Sequence, residues 1–310
     1  MFSKIIAGLL LLVSLTVSAQ QKPIKIIVPF GVGGLVDIAN RQLEVALENE
    51  LGRKISVEYK PGAAGLIGIR HIAQNKTDDV LITIIDSIAL ANIMSLNDDV
   101  GFNDVNYISQ IGRTNSIAIA VPKGSPLRTI EGWRNYRGPT ISIGANGVGG
   151  AHHFYSWLFT NQLGVERIDV FYKGVNEMSA NLVGGHINAM WANLASLEQL
   201  EQAGKIDIVA INNSKRLETI PHVPTFQEIG IPMVPAKWLL IGNNTTDTQT
   251  VKVIETAVNK LLNTADFVRS LKNIGLVVEP GSISGSKSTM EQTLRQQSKF
   301  VEYVKTLKKL

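Results

Sequence analysis

Apolar residues recur along this chain in two alternating rhythms. Ile24 to Val28 is a short β-branched run ending in Pro29-Phe30 and a glycine turn. The period then changes, because Leu35, Ile38, Ala39, Leu43, Ala46 and Leu47 fall on one helical face. Gly52 follows as a glycine should at a helix C-terminus. Lys54 to Tyr59 predicts the next strand and Pro61-Gly62 the next turn. Val80 to Ile85 predicts a third strand, and its nearly unbroken apolar character suits a parallel strand covered on both faces. The rhythm resumes with Thr140 to Ile143, Ile168 to Phe171, Asn188 to Met190 and Ile206 to Ile211. This strand–helix–strand grammar predicts an α/β fold.

No repeat of fixed period and no low-complexity linker divides the chain. Two segments are suited to carry it between lobes instead. Ser116 to Pro122 is an apolar strand running into Pro122-Lys123-Gly124-Ser125-Pro126, and Met233 to Gly242 follows the Pro-spaced stretch Pro221, Pro224 and Pro232. The expected division is a first lobe of residues 20–121 plus 240–310, with residues 122–239 inserted as a second lobe. Such a double crossover makes a hinge between lobes that close on a ligand. The cleft is then lined by loops at the carboxyl ends of strands.

The first residues read as an address. Lys4 precedes an apolar run from Ile5 to Leu15, and Val17-Ser18-Ala19 is a small-residue cleavage site, so residues 1–19 are expected to be a signal peptide. The apolar run is shorter than the about 20 residues that span a bilayer. Residue 20 is Gln, so no cysteine stands there to carry a lipid. Export changes how the composition is read. The chain has no cysteine, which leaves packing without disulfides to hold an exported protein and removes thiol nucleophiles and Cys-based zinc sites. At 45% hydrophobic and 18% charged residues it can bury a sizeable core. The net charge of +4 is scattered, with no basic stripe interleaved with aromatics, so nucleic acid is not an expected partner.

Two glycine-rich loops occupy equivalent strand ends. One is Phe30-Gly31-Val32-Gly33-Gly34, and the other is Ala145-Asn146-Gly147-Val148-Gly149-Gly150, just before His152 and His153. Glycine lets backbone approach a ligand without a β-carbon in the way. It also lets successive N–H groups face one concavity at the positive end of a helix dipole. One such loop is often only a turn; two in opposite lobes form a two-jawed anion clamp built of backbone.

An ordered series of fragments gives these loops a wider setting. It runs through Ile27-Val28-Pro29-Phe30, Gly33-Gly34, Asp37 and Arg41, then Val57-Glu58, Pro61-Gly62-Ala63, Gly65 and Ile67-Gly68. It returns at Gly147, Gly149, His153 and Tyr172-Lys173-Gly174, and ends with Gly184-Gly185, Gly204-Lys205, Lys215-Arg216, Pro221, Val223-Pro224-Thr225 and Gly230. In this series the chain resembles the substrate-binding receptors of tripartite tricarboxylate transporters, the Bug receptor family. The resemblance implies a two-lobed periplasmic-binding-protein fold with a double crossover hinge. It also implies a soluble periplasmic location, a carboxylate held in each glycine loop, ordered water in the cleft, and transporter subunits (or a sensor ectodomain) as partners of a monomer. The chain departs from the family at Gly31, where proline is usual, at Val32, which replaces a smaller residue, and at Thr77-Asp78-Asp79, Asn188 and Ala192. Ala192 stands where the family carries an acid. A ligand ammonium would lose its partner there, so non-aminated carboxylates are the expected ligands.

The expected ligand-binding residues are Phe30, Val32, Gly33, Gly34, Asp37, Ala63, Ser87, Asn146, Gly147, Val148, Gly149, Gly150, His153, Tyr172, Ala192 and Asn193. Several have plainer explanations. Asp37 complements a helix dipole, Ser87 caps a helix, and His153 packs behind its loop. The histidines lack metal-site spacing, and no catalytic residue, metal or cofactor is expected. The rival reading is an exported or mislocalised dinucleotide oxidoreductase using Gly31 to Gly34 with Glu58. Its third glycine position holds Val36, where helix–strand packing wants Gly or Ala. Hydrolase elbows of the Gly-x-Ser-x-Gly type are missing from the sequence.

Overall fold

The computed structural model describes residues 22–114, 117–213, 215–231 and 233–307. The signal-peptide reading of residues 1–19 lies outside them. β1 (Ile24–Val28) leads into α1 (Leu35–Leu51), and β2 (Ile55–Tyr59) is followed by a 3-10 turn at Ala63–Gly65 and α2 (Leu66–Ala73). β3 (Val80–Asp86) runs directly into α3 (Ser87–Leu96), and β4 (Val105–Thr114) precedes β5 (Ile117–Pro122). The middle of the chain alternates α4 (Ile130–Arg134), β6 (Ile141–Ala145), α5 (Ala151–Leu163), β7 (Arg167–Phe171) and α6 (Val175–Val183). It continues through β8 (Ala189–Asn193), α7 (Leu194–Gln202) and β9 (Ile206–Ile211). Last come β10 (Lys237–Asn243), α8 (Thr248–Leu261), α9 (Ala265–Asn273), β11 (Leu276–Gly281), α10 (Ile283–Gln296) and α11 (Ser298–Leu307).

The strands form two mixed sheets, ordered β11-β4-β10-β3-β1-β2 and β7-β6-β8-β5-β9. β1 pairs parallel with β2 and β3, and β6 pairs parallel with β7 and β8. The crossover strands are antiparallel: β10 to β3 and β4, and β5 to β8 and β9. Period-two alternation divides each strand between two cores. Ile26 and Val28 face the cluster under α1 and α8, whereas Ile27 faces the one under α2 and α3. In the second sheet Ile117, Ile119 and Val121 face one side, and Ala118 and Ala120 the other. Helices cover both faces of both sheets, which is why β3 is buried at all seven positions.

The boundaries between lobes differ from those the sequence predicts. β5 belongs to the second sheet, so the outward crossover lies between Thr114 and Ile117 and not at residue 121. β10 is in the first sheet from Lys237, so the return precedes residue 240. A strand apolar at every position fits either sheet, and only its pairing partners decide between them. The C-terminal residues also cross again. α10 packs Met290 into the first lobe, but α11 packs Phe300 and Val304 among Trp133, Phe154 and Phe159 of the second. A third passage therefore accompanies the two strand crossovers.

Candidate ligand-binding site

The carboxyl ends of both sheets face each other across a cleft with two chambers. The smaller, about 380 Å³, is lined by Phe30 to Val36, Asp86, Thr114, Asn146, Gly150 to His152, Tyr155, Lys173 to Glu177, Asn193 and Trp238, among others. The larger, about 760 Å³, is lined by Pro61 to Leu66, Asn92, Leu96, Asn146 to Gly149, Phe171 and Tyr172, among others. Phe30, Gly31, Asn146 and Lys173 border both chambers. The lobes come close here, since a β-carbon on Gly147 would lie 3.0 Å from that of Ala64.

Five helices begin at the smaller chamber. Their N-cap residues are Gly34 (α1), Asp86 (α3), Gly150 (α5), Gly174 (α6) and Asn193 (α7), and all five line it. Each helix follows the carboxyl end of a strand, so the fold itself directs five positive dipole ends to one volume. Only Asp86 caps its own helix, through Oδ1, which accepts the Ala89 N–H at 2.8 Å. The other four have no side-chain cap. Their first N–H groups lack intrahelical acceptors and are available to an anion.

Side chains behind the glycine loops hold these ends in place. The Gly33 N–H donates to Asp37 Oδ2 at 2.7 Å, and the Tyr59 hydroxyl donates to Oδ1 at 2.6 Å. Arg41 Nε lies 3.3 Å from the same oxygen. In the other lobe the Gly149 N–H donates to His153 Nδ1 at 3.0 Å, and His153 Nε2 lies 3.4 Å from Asp169 Oδ2. Burial opposes the charge on Asp169, yet His153, Arg167 and Ser156 together hold its carboxyl below the usual carboxylate range.

Twelve of the sixteen expected residues border the cleft. Phe30, Val32, Gly33, Gly34, Asn146, Gly150 and Asn193 line the smaller chamber, and Ala63, Gly147, Val148, Gly149 and Tyr172 the larger. Phe30 and Asn146 serve both. Four do not reach either chamber. Asp37 and His153 are enclosed behind their loops, and Ser87 is buried with its hydroxyl accepting the Lys237 N–H at 3.3 Å. Ala192 sits in the core with Met190 and Leu197. The preference for non-aminated ligands expected from Ala192 therefore loses its structural basis.

Other lining residues were not among those the sequence predicts to bind ligand. Asp86, only 8% exposed, is pushed up to about 6 by burial. Burial pushes the His152 imidazole down to about 4, and its Nδ1 has no hydrogen-bond partner. Asn92 presents both amide atoms, buried and unpartnered, to the larger chamber. Trp238 lines the smaller chamber while its indole N–H donates to Thr114 Oγ1 at 2.8 Å. Their sequence neighbourhoods carry only strand-end or helix-cap signals, so burial and convergence were invisible there. No group of three or more His, Asp or Glu side chains among the described residues is placed to hold a metal ion.

Relatives share this architecture. Protein BugT of Bordetella pertussis is 26% identical over 257 residues, covering 80% of this chain and 79% of its own. A solved periplasmic transporter superposes with a TM-score of 0.81 at 25% identity, covering 91% of this chain and 97% of that one. MatC from Rhodopseudomonas palustris, with bound malate, superposes with a TM-score of 0.80 at 19% identity, covering 91% and 99%. An R. palustris protein with adipate gives 0.79 at 22% identity, covering 92% and 97%. The model of the tripartite tricarboxylate transporter family receptor matches residues 39–305. This chain thus belongs to the tripartite tricarboxylate transporter receptor family, whose members are solute-binding receptors and not enzymes.

Proposed function

We propose that this protein is a periplasmic receptor that captures a small carboxylate between its lobes and presents it, as a monomer, to the membrane subunits of a tripartite transporter. The observation that carries the reading is the convergence of four helix starts without side-chain caps on one chamber. Backbone N–H groups and helix dipoles favour an anion without a buried Arg or Lys. The bound malate of MatC and adipate of the second R. palustris protein support carboxylate as the ligand class. No helix among the described residues is long and apolar enough to cross a membrane.

Charge-assisted hydrogen bonds contribute about 1.5–3 kcal/mol each. A few of them, less the cost of ordering, reach the about −8 kcal/mol of a micromolar complex. Ligand at about 100 times its dissociation constant then adds about 2.7 kcal/mol to stability. Native mass spectrometry of protein recovered from the periplasm, with thermal shifts against a carboxylate panel, tests the reading. A co-purified small acid and a ligand-dependent shift are expected. A broad panel of mono-, di- and tricarboxylates and amino acids giving no shift defeats it.

A further inference from the structure

The smaller chamber has a polarity that carboxylate capture alone does not require. Its positive side is made by the starts of α1, α5 and α6, whose N-caps are glycines without side-chain bonds. Opposed to them in charge is Asp86, which is more than nine-tenths buried and lines the same volume. The Ala89 N–H donates to it at 2.8 Å, and the groups that act on its charge are backbone N–H groups at the start of its own helix, with no cation among them.

Capping alone does not account for a carboxylate here. Serine or asparagine caps a helix about as well without placing a negative charge in an anion site. A buried carboxylate without a counter-charge is costly, and a purely anionic ligand adds a second like charge to the chamber. The remaining lining groups do not relieve it. Lys173 and Glu177 are exposed at the rim, and His152, held neutral by burial, brings no positive charge. The missing cation is best supplied by the ligand.

We infer that Asp86 is a specificity-determining residue that receives a ligand ammonium, so that the ligand is an amino acid. Its carboxylate is held by the N–H groups of the glycine-started helices and its ammonium by Asp86. The inference rests on the carboxylate-receptor reading and narrows it. It also reverses the preference expected from Ala192, which is enclosed in the core.

Calorimetric titration of matched pairs provides the test. The probes are aspartate against succinate, glutamate against glutarate, leucine against 4-methylpentanoate, and phenylalanine against 3-phenylpropionate, with malate as the hydroxyl analogue of aspartate. In the unmodified protein at pH 7.5 at least one amino acid is expected to bind tenfold or more tighter than its partner. Asp86→Asn, which keeps a capping oxygen, is expected to lose that advantage while its affinity for the unaminated partner holds or rises. Equal or tighter binding of the unaminated or hydroxyl analogues overturns the inference and leaves the receptor reading standing. An amino-acid preference that persists in Asp86→Asn overturns it too. Binding of neither class overturns both readings. Should Asp86→Asn fail to fold, the comparison within the unmodified protein decides.

Discussion

The Gly149 N–H donates to Nδ1 of His153, four residues on and one turn into the following helix. Gly33 and Asp37 repeat the arrangement in the other lobe, at the same spacing. Both glycines have positive φ, 79° and 87°. Two loops in different sheets thus use one device: a left-handed glycine turns its N–H back into the helix, and a side chain fixes it there. The helix starts are held open by these bonds and do not need the ligand to shape them, which lowers the ordering cost of binding.

Substitution at Gly149 is expected to separate binding from folding. A side chain at φ 79° is strained, and its β-carbon would lie 2.7 Å from Leu96 Cδ1. Gly149→Val should lose carboxylate binding by roughly 100-fold, equivalent to about 2.7 kcal/mol, with an unchanged far-ultraviolet circular dichroism spectrum. His153→Ala should act mainly on stability. Its ring packs on Phe171 and Phe300 at 5.1 Å each and approaches Asp169. Losing it should cost about 2–4 kcal/mol in urea unfolding, with a smaller loss of affinity. Unchanged affinity in Gly149→Val would reduce that loop to a turn.

Phe300 ties the C-terminal helix to the binding loop. It is fully buried against His153, Phe154 and Trp157, although α10, immediately before it, packs on the first lobe. Phe300→Ala should cost about 3–5 kcal/mol and weaken binding, because His153 loses the surface that sets its ring. Urea titration beside calorimetry checks both parts. A stability loss with wholly unaltered affinity would mean the helix only staples the lobes.

Glu279 bridges the two strand crossovers. Its Oε1 lies 2.7 Å from Arg113 Nε at the end of β4, and its Oε2 2.5 Å from Lys237 Nζ at the start of β10. Burial opposes its charge, but Lys237 and Arg113 together hold the carboxyl below the ordinary glutamate range. A depressed folded value gives stability that is present above the unfolded pKa near 4.5 and is lost as pH falls through the folded one. The partners are partly exposed and screened, so Glu279→Gln should cost only about 1 kcal/mol at neutral pH. The difference should shrink below pH 4.5 and at high salt. A cost that is independent of both would assign the loss to packing.

Much of this was legible because it is local. The glycine loops, the strand ends beside them and the helix stop at Gly52 (φ 63°) follow from short-range pattern. What failed depends on pairing across the chain. Ile117 to Val121 is apolar on both faces, so nothing in it says which sheet it joins. Ala192 could have been placed by period two. It shares a face with core Met190, whereas Trp191 faces the other core and only Asn193, at the strand end, borders the cleft. Asp86 looks like any helix cap in sequence, and its role emerges only when five helix starts converge around it.

The charge on Asp86 should also be visible in stability without any ligand. A folded value raised by burial from 3.8 to about 6 corresponds to at most about 3 kcal/mol of stability lost when the carboxyl ionises. For a raised folded value, the stabilising contribution of the protonated form is complete below pH 3.8 and is lost as pH rises through 6. Asn cannot ionise and still caps α3, so Asp86→Asn should stabilise the ligand-free protein by about 1–2 kcal/mol above pH 7. The gain should shrink as pH falls below 6. His152 lines the same chamber and titrates oppositely, since a folded value near 4 makes both proteins less stable as pH falls below 6.5. Tyr155, its hydroxyl pushed up by burial and donated to the Val234 carbonyl, stays neutral throughout, and Lys173 and Glu177, exposed on the chamber wall, are the same in both proteins. The difference between the two proteins at each pH therefore isolates Asp86. Urea unfolding of both from pH 4 to 8 measures it, and equal stabilities across that range would show that Asp86 carries no buried charge for a ligand to neutralise.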